Sequence, residues 1–146
     1  MSTRSGKALD LPPAGAYGGD VTLLPFASPL FADIVSTAEM RAVWTEERML
    51  GSWMEVERAL VTAQAELGMI PVEAARTIAK RLDLETLPAT AVLAKKASIG
   101  HPMVAFLKAF REVCGPAAEH LHVGPTTQDA LDTGLTLQIR SPGRTR

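Results

Sequence analysis

The sequence contains little cysteine, few aromatic residues and no excess of charge of either sign. Of its 146 residues one is cysteine, 5% are aromatic, and the formal net charge is −1. A single cysteine excludes a disulfide framework within the chain and a zinc cluster built from cysteines. Because the charge is balanced, the basic patch on which nucleic-acid binding depends is missing, and we expect no nucleic-acid partner.

Long apolar runs and several catalytic motifs are also missing. No apolar stretch approaches the roughly 20 residues that a membrane-spanning helix needs, and no continuous apolar segment follows Arg4 and Lys7 as in a secretory signal. We therefore expect no membrane partner and a cytoplasmic location. The chain has no phosphate-binding loop, dinucleotide-binding glycine motif, nucleophile elbow or HExxH zinc motif. No alternating pattern long enough to predict a strand occurs either.

Apolar residues instead recur at helical spacing. After the start signal Thr45-Glu46-Glu47, they are spaced by three or four residues at Met49, Trp53, Val56, Leu60, Ala63 and Leu67. The residues off that stripe include Glu55, Glu57, Arg58, Gln64 and Glu66, and Gly68 is placed to end the helix. Further helical patterns cover residues 72–82, 83–97, 103–113 and 126–140. The sequence predicts an all-α fold.

The densest group of polar side chains lies in residues 120–133, HLHVGPTTQDALDT. Thr126 and Asp129 have the spacing of a capping box, which alone would explain the segment as the start of a helix. Thr127 and Gln128 exceed what capping requires, and a helix N-terminus with free N–H groups can bind a carboxylate or a phosphate. Nearby aspartates would oppose a bound anion, so both interpretations stand on physical grounds.

The three histidines and the cysteine differ in how well their sequence positions suit a functional role. His122 precedes the Gly-Pro step and is a candidate for acid–base chemistry or anion contact, and His101 has a similar place at a helix start. His120 is more simply explained as a surface or satisfied core residue. No spacing around them forms a recognisable metal site, so we expect no metal. Nothing basic adjoins Cys114, which we interpret as an inert core thiol.

Residues 30 to 140 resemble the fumarase/aspartase superfamily, in the branch that contains adenylosuccinate lyase and 3-carboxy-cis,cis-muconate cycloisomerase. The stretch from LFADIVSTAEMRAV to AELGMIP is similar to the N-terminal helical domain of that branch, and GHPMVAFLKAF is similar to its next motif. HVGPTTQDALDTGLTLQIR resembles its first signature segment, His-x-Gly-x-Thr-Ser-x-Asp-x-x-Asp-Thr. This last motif is the most specific of the three.

The resemblance implies a cofactor-free enzyme that removes a proton beside a carboxylate and eliminates or adds a β-substituent on a polycarboxylate. Carried over, Thr126 and Thr127, with Gln128 beside them, would bind a substrate carboxylate, and Asp129 would order the segment. His122 would line the pocket, and His101 would lie near the leaving group. Donors of this kind suit a transition state in which charge builds on carboxylate oxygens. The family assembles its active sites from three subunits of a homotetramer.

Residues 1–30 are rich in glycine, proline, serine and alanine and show no periodic pattern, which predicts a flexible N-terminal arm. The resemblance implies an N-terminal helical domain over 31–115 and the start of a central bundle of long helices over 116–146, cut short near Arg140. Nothing in the chain matches the family's general acid region or its Ser-Ser-x-Met-Pro-x-Lys-x-Asn loop, which supplies the base. We therefore predict that the isolated chain is inactive. Two alternatives stay open: an adenylosuccinate-type lyase releasing fumarate, and a non-catalytic, truncated helical interaction module.

Overall fold

The computed structural model describes residues 31–140. The predicted arm over residues 1–30 and the C-terminal SPGRTR both lie outside the described residues. Between residues 31 and 140 the chain forms seven α-helices and one 3₁₀ helix, without a strand, which confirms the all-α prediction. The elements are α1 (Ala32–Val35), α2 (Ala38–Val43), α3 (Glu46–Glu66), α4 (Val72–Arg81), α5 (Ala89–Ile99), α6 (Pro102–Cys114), the 3₁₀ helix (Gly115–His120) and α7 (Thr127–Arg140).

The chain divides into two units, Met1–Ala38 and Glu39–Arg146. Of the first unit the structure describes residues 31–38, where α1 is closed by the Ser36 hydroxyl, which donates to the carbonyl of Ala32 at 3.2 Å. The second unit contains the hydrophobic core and the helices from Glu39 onward. The domain boundary that we place between residues 115 and 116 stays a prediction.

Helix α3 is the longest element and begins where the sequence predicts. The hydroxyl of Thr45 accepts the backbone N–H of Arg48 at 3.3 Å, and acidic side chains occupy the first turn, where the helix dipole favours them. Gly68, with a φ of 70°, follows its end. Among the described residues, no helix is both long and apolar enough to cross a lipid bilayer.

The prediction of which face of α3 is buried is wrong. Of the predicted stripe only Trp53 is fully buried, whereas Leu67 is 75% exposed. The buried face instead contains two polar residues, Glu57 and Gln64, at helical spacing from the apolar ones. This rotation is possible because both polar side chains find hydrogen-bond partners elsewhere in the chain, which offsets their loss of water.

The residues between α4 and α5 correct another boundary. We predict a helix over residues 83–97, but α5 begins only after Pro88. Asp83 is engaged in a turn, since its carboxylate accepts the backbone N–H of Thr86 at 2.6 Å and the Thr86 hydroxyl at 2.9 Å. This local bonding competes with helix formation, and the helical φ/ψ region is disfavoured for the residue before a proline.

Helix α6 lies at the centre of the core. Its fully buried Phe106 contacts Trp53 of α3 edge to face, with ring centroids 5.7 Å apart, and stacks against Phe110 at 6.0 Å. Cys114 near its end is 4% exposed, and burial raises the pKa of its thiol to about 11. Its burial confirms that Cys114 is a core residue, and the raised pKa is consistent with an unreactive thiol, because only the thiolate is nucleophilic.

Helix α7 packs along α3 through small and polar residues. A side chain at Gly134 would place its Cβ 2.6 Å from the Trp53 ring, so glycine is required for this close approach. Further along, the buried Gln138 amide donates to the carbonyl of Val43 at 3.1 Å. The larger apolar residues Leu135 and Ile139 lie on the other side and are 45% and 59% exposed.

Candidate functional site

The segment between the 3₁₀ helix and α7 contains the polar residues that the sequence singles out. Leu121 is buried and anchors the segment to the core. The next residue, His122, has a φ of 57°, and Gly124 has a φ of 98°. Left-handed backbone costs a non-glycine residue roughly 1–2 kcal/mol. The conformation of His122 therefore requires contacts that hold it in place.

Glu57 of α3 supplies one of these contacts. Its Oε1 lies 2.5 Å from Nδ1 of His122, with the Glu57 side chain fully buried and the His122 side chain 8% exposed. Burial raises the pKa of Glu57, because the charged form loses its water, while the hydrogen bond to His122 and the charges of His122 and Arg111 oppose that rise. A carboxyl group and an imidazole thus share one hydrogen bond beneath the protein surface.

Gln64 supplies the second contact, two turns further along the same face of α3. Its Nε2 donates to the carbonyl of Val123 at 2.7 Å. Helix α3 therefore holds two consecutive residues, His122 and Val123, from one side. Three buried atoms of this group have no hydrogen-bond partner within residues 31–140: Oε2 of Glu57, Oε1 of Gln64 and Nε2 of His122.

The start of α7 forms the capping box that the spacing predicts. The Asp129 carboxylate accepts the backbone N–H of Thr126 at 2.7 Å and its hydroxyl at 2.9 Å, and the Thr126 hydroxyl accepts the backbone N–H of Asp129 at 3.3 Å. The backbone and hydroxyl hydrogen bonds from Thr126 lower the pKa of Asp129, and the nearby charge of His122 adds to that effect.

Thr127 is the donor in this turn that the cap does not use. Among the described residues its hydroxyl has no partner, whereas the Thr126 hydroxyl is engaged with Asp129. The first backbone N–H groups of a helix also lack intrahelical acceptors. Thr127 and its neighbouring N–H groups can therefore donate to an anion, although the carboxylate of Asp129 lies close by.

The other predicted site residues are distributed more widely. The Gln128 amide donates to Asp132 at 2.7 Å, on the exposed side of α7. His101 caps α6, where its Nδ1 accepts the backbone N–H of Val104 at 3.3 Å, and no contact with the segment 121–129 is described for it. Within residues 31–140, no three His, Cys, Asp or Glu side chains are grouped so that they could hold a metal ion.

Sequence analysis missed Glu57 and Gln64. Both carry a signal that was available: they fall at three- and four-residue steps from Trp53 and Val61 on one helix face. A face that combines apolar residues with two polar ones at that spacing indicates buried polar contacts. Their partners cannot be read from the spacing, because the histidine that binds Glu57 is 65 residues away.

No protein-family model matches the chain. It is 41% identical over 105 residues to N-acetyl-S-(2-succino)cysteine lyase of Enterococcus italicus, an alignment that covers 72% of this chain and 23% of that protein. It is 43% identical to adenylosuccinate lyase of Methanocaldococcus jannaschii over 105 residues, which cover 71% and 23%. Its structure is similar to 3-carboxy-cis,cis-muconate lactonizing enzyme from Pseudomonas putida, with a TM-score of 0.70 and 30% identity over 78% of this chain and 27% of that one. The chain thus spans about a quarter of the length of these relatives.

Proposed function

Because the chain belongs to the fumarase/aspartase superfamily, in the branch of adenylosuccinate lyase and 3-carboxy-cis,cis-muconate cycloisomerase, we propose that it forms the N-terminal part of a cofactor-free lyase or cycloisomerase. The reaction would remove a proton beside a carboxylate of a polycarboxylate and eliminate or add a β-substituent. In this proposal the chain contributes the first of the segments that bind the substrate.

The arrangement at the start of α7 is the observation that carries the proposal. Thr127 retains an unengaged hydroxyl, and the backbone N–H groups in the first turn of a helix have no intrahelical acceptors. A carboxylate whose charge increases in the transition state is stabilised by such preorganised donors. Asp129 keeps its negative charge, but its carboxylate oxygen is directed at Thr126, from which it accepts two hydrogen bonds.

The roles of the two histidines remain part of the proposal. His122, whose side chain is 8% exposed, would line the substrate pocket once the further segments complete it. His101 is exposed at the start of α6 and would lie near the leaving group. Since no contact joins the two within residues 31–140, the proposal requires further segments to complete the pocket.

Adenylosuccinate-type chemistry, with release of fumarate, is the second candidate. It is favoured by the 43% identity to adenylosuccinate lyase of M. jannaschii and the 41% identity to a lyase whose name specifies a succino substituent. The structural similarity to the P. putida enzyme favours cycloisomerisation instead. Both candidates place a substrate carboxylate at the same helix start.

Activity assays test the catalytic part of the proposal. The purified 146-residue chain should form neither fumarate nor a lactone, since it lacks the acid and base segments, and measurable formation of either would contradict that expectation. A chimera of M. jannaschii adenylosuccinate lyase carrying residues 31–140 of this chain in the aligned region should release fumarate. Its Thr127→Val variant should lose most of that activity while keeping its helical circular dichroism.

We also propose that the chain assembles with copies of itself, as a tetramer, through the exposed apolar side of α7. Leu135 and Ile139 are separated by one helical turn and form a continuous apolar strip. Sedimentation velocity should show an oligomer that Leu135→Glu together with Ile139→Glu dissociates, and a clean monomer in the parent chain would contradict the assembly. Self-association without any carboxylate binding would favour the non-catalytic interaction module. The cytoplasmic location stays a prediction.

A further inference from the structure

Helix α3 contacts residues 122 and 123, which precede the proposed substrate-binding turn, through two polar side chains that are buried in the core. Glu57 is 0% exposed and Gln64 is 5% exposed, and both point at the residues that precede α7. Packing alone does not explain this choice, because replacing a buried ionic group by an apolar one of similar volume is often neutral or stabilising. The choice of a buried carboxyl group at Glu57 is therefore explained by what it binds, Nδ1 of His122, rather than by bulk stability.

We propose that Glu57 is a positioning residue for His122: its carboxylate accepts a hydrogen bond from Nδ1–H, which fixes the tautomer of His122 and leaves Nε2 with the lone pair. This inference rests on the proposed function, in which His122 lines the substrate pocket. It adds a residue on a distant helix that determines which ring nitrogen can accept a proton or a hydrogen bond.

The backbone geometry supports this role. His122 occupies left-handed φ space, where a β-carbon is disfavoured, and the Glu57 and Gln64 contacts flank that strained residue on its side chain and on the next carbonyl. The two contacts together fix both the ring and the peptide that follows it. The segment can therefore enter α7 with the ring held in one orientation.

The unpartnered atoms support it as well. Buried polar atoms in folded proteins are rarely left without a hydrogen bond, and each exception requires an explanation. If Nδ1 donates to Glu57, Nε2 is left as an acceptor, and this buried atom has no donor among residues 31–140. That is the nitrogen which the proposed chemistry would use.

Nuclear magnetic resonance of the histidine rings tests the proposal without requiring activity. In the full chain labelled with ¹⁵N-histidine at neutral pH, we expect long-range ¹H–¹⁵N correlations to show His122 as the Nδ1–H tautomer by at least tenfold over the Nε2–H form. His120 and His101 in the same spectrum serve as internal references. A predominantly Nε2–H ring at His122 would overturn the proposal.

Two variants then separate positioning from stability. Glu57→Gln can offer either an oxygen or an N–H to Nδ1, so we expect the tautomer ratio of His122 to fall at least tenfold while the fold is retained. Glu55→Gln removes one charge from an exposed position of the same helix and should leave the ratio unchanged. An unchanged ratio in folded Glu57→Gln contradicts the proposal. If that variant does not fold, the tautomer of the parent chain decides the question.

The outcome is distinguishable from failure of the proposed function. A ring held as Nδ1–H in a chain that binds no carboxylate supports positioning and counts against the enzyme proposal. Carboxylate binding by a chain whose His122 is the Nε2–H tautomer supports the enzyme proposal and contradicts the positioning role of Glu57. The tautomer is read from the histidine-labelled chain, and carboxylate binding is read from the backbone amides of the uniformly ¹⁵N-labelled chain.

Discussion

Residues 122–129 take part in two polar clusters, which differ in burial and in the sequence separation of the residues that they join. The Glu57–His122 pair is buried and joins residues 65 positions apart, whereas the Thr126–Asp129 capping box is exposed and joins residues three apart. The pKa values of their carboxyl groups are shifted in opposite directions: burial raises the pKa of Glu57, and hydrogen bonds from Thr126 lower the pKa of Asp129. The long-range cluster depends on tertiary packing, and the local one depends only on the helix start.

Removing His122 should have the largest effect. In His122→Ala the fully buried Glu57 loses its partner, and breaking a buried pair in this way costs about 3–5 kcal/mol. The matched control is His120→Ala, whose ring is partly exposed and lies 3.2 Å from the adjacent Glu119 on the surface. Urea unfolding should show a large decrease in the free energy of unfolding for His122→Ala and little change for His120→Ala. Equal decreases would contradict the special role of the buried Glu57–His122 pair.

A larger side chain at the contact between α3 and α7 should disturb the Glu57–His122 pair but not the Thr126–Asp129 capping box. Gly134→Ala places a Cβ 2.6 Å from the buried Trp53 ring. Overpacking costs up to about 3 kcal/mol of folding stability, and the better helix propensity of alanine returns about 1 kcal/mol. We therefore expect the free energy of unfolding to fall by roughly 2 kcal/mol.

Gly51→Ala is the control for this substitution, because nothing lies within 4 Å of the Cβ it would add. It should stabilise the chain by about 0.5–1 kcal/mol. In the Gly134→Ala protein the ring signals of His122 should shift, while those of the Thr126 and Asp129 amides should not. Stabilisation by Gly134→Ala would show that α7 does not pack as described.

Loss of the cap should have a smaller effect. Thr126→Ala removes the hydroxyl that accepts the Asp129 N–H, and such cap losses cost about 1 kcal/mol. Thr136→Ala, in the middle of the same helix and exposed, is the control and should stay within about 0.5 kcal/mol of the parent. Thermal unfolding by circular dichroism measures both. A loss as large as that from His122→Ala would contradict the local character of the cap.

The smallest predicted effect is the pH dependence of the cap. Since the folded pKa of Asp129 is depressed below its ordinary value of 3.8, its contribution is complete above 3.8 and is lost as the pH falls through the folded pKa. The difference in thermal midpoint between the parent and Asp129→Asn should therefore narrow as the pH is lowered below 3.8. A difference that is constant from neutral pH to pH 2 would contradict the assignment.

The local cluster could be predicted from the sequence and the long-range one could not. Thr126 and Asp129 stand three residues apart, so the helix geometry alone brings them together. The Glu57–His122 pair exists only because α3 packs with its polar residues inward, and local periodicity pointed to a different face, with Leu67 inside. The choice between two overlapping stripes is made by tertiary partners, here the ring of His122 and the carbonyl of Val123.

The helices themselves were largely predictable. The apolar pattern of α6 is clear because that helix is buried on most sides, and Thr45 and Gly68 mark the two ends of α3. The 3₁₀ helix of residues 115–120 carries no apolar periodicity and was not predicted. His101 was predicted at a helix start and is found as the cap of α6, but its place relative to the segment 121–129 depends on packing that spacing does not encode.

The most direct test of the account is a titration of the ¹⁵N-labelled chain with fumarate, followed through its backbone amides, with the uncharged diamide of fumaric acid as the matched probe. We predict saturable chemical-shift changes at the Thr127 and Gln128 amides with fumarate only, and an affinity for fumarate that is several-fold weaker in Thr127→Val. The absence of a saturable change at the start of α7, or equal changes with the diamide and the dicarboxylate, would contradict carboxylate binding at this helix start.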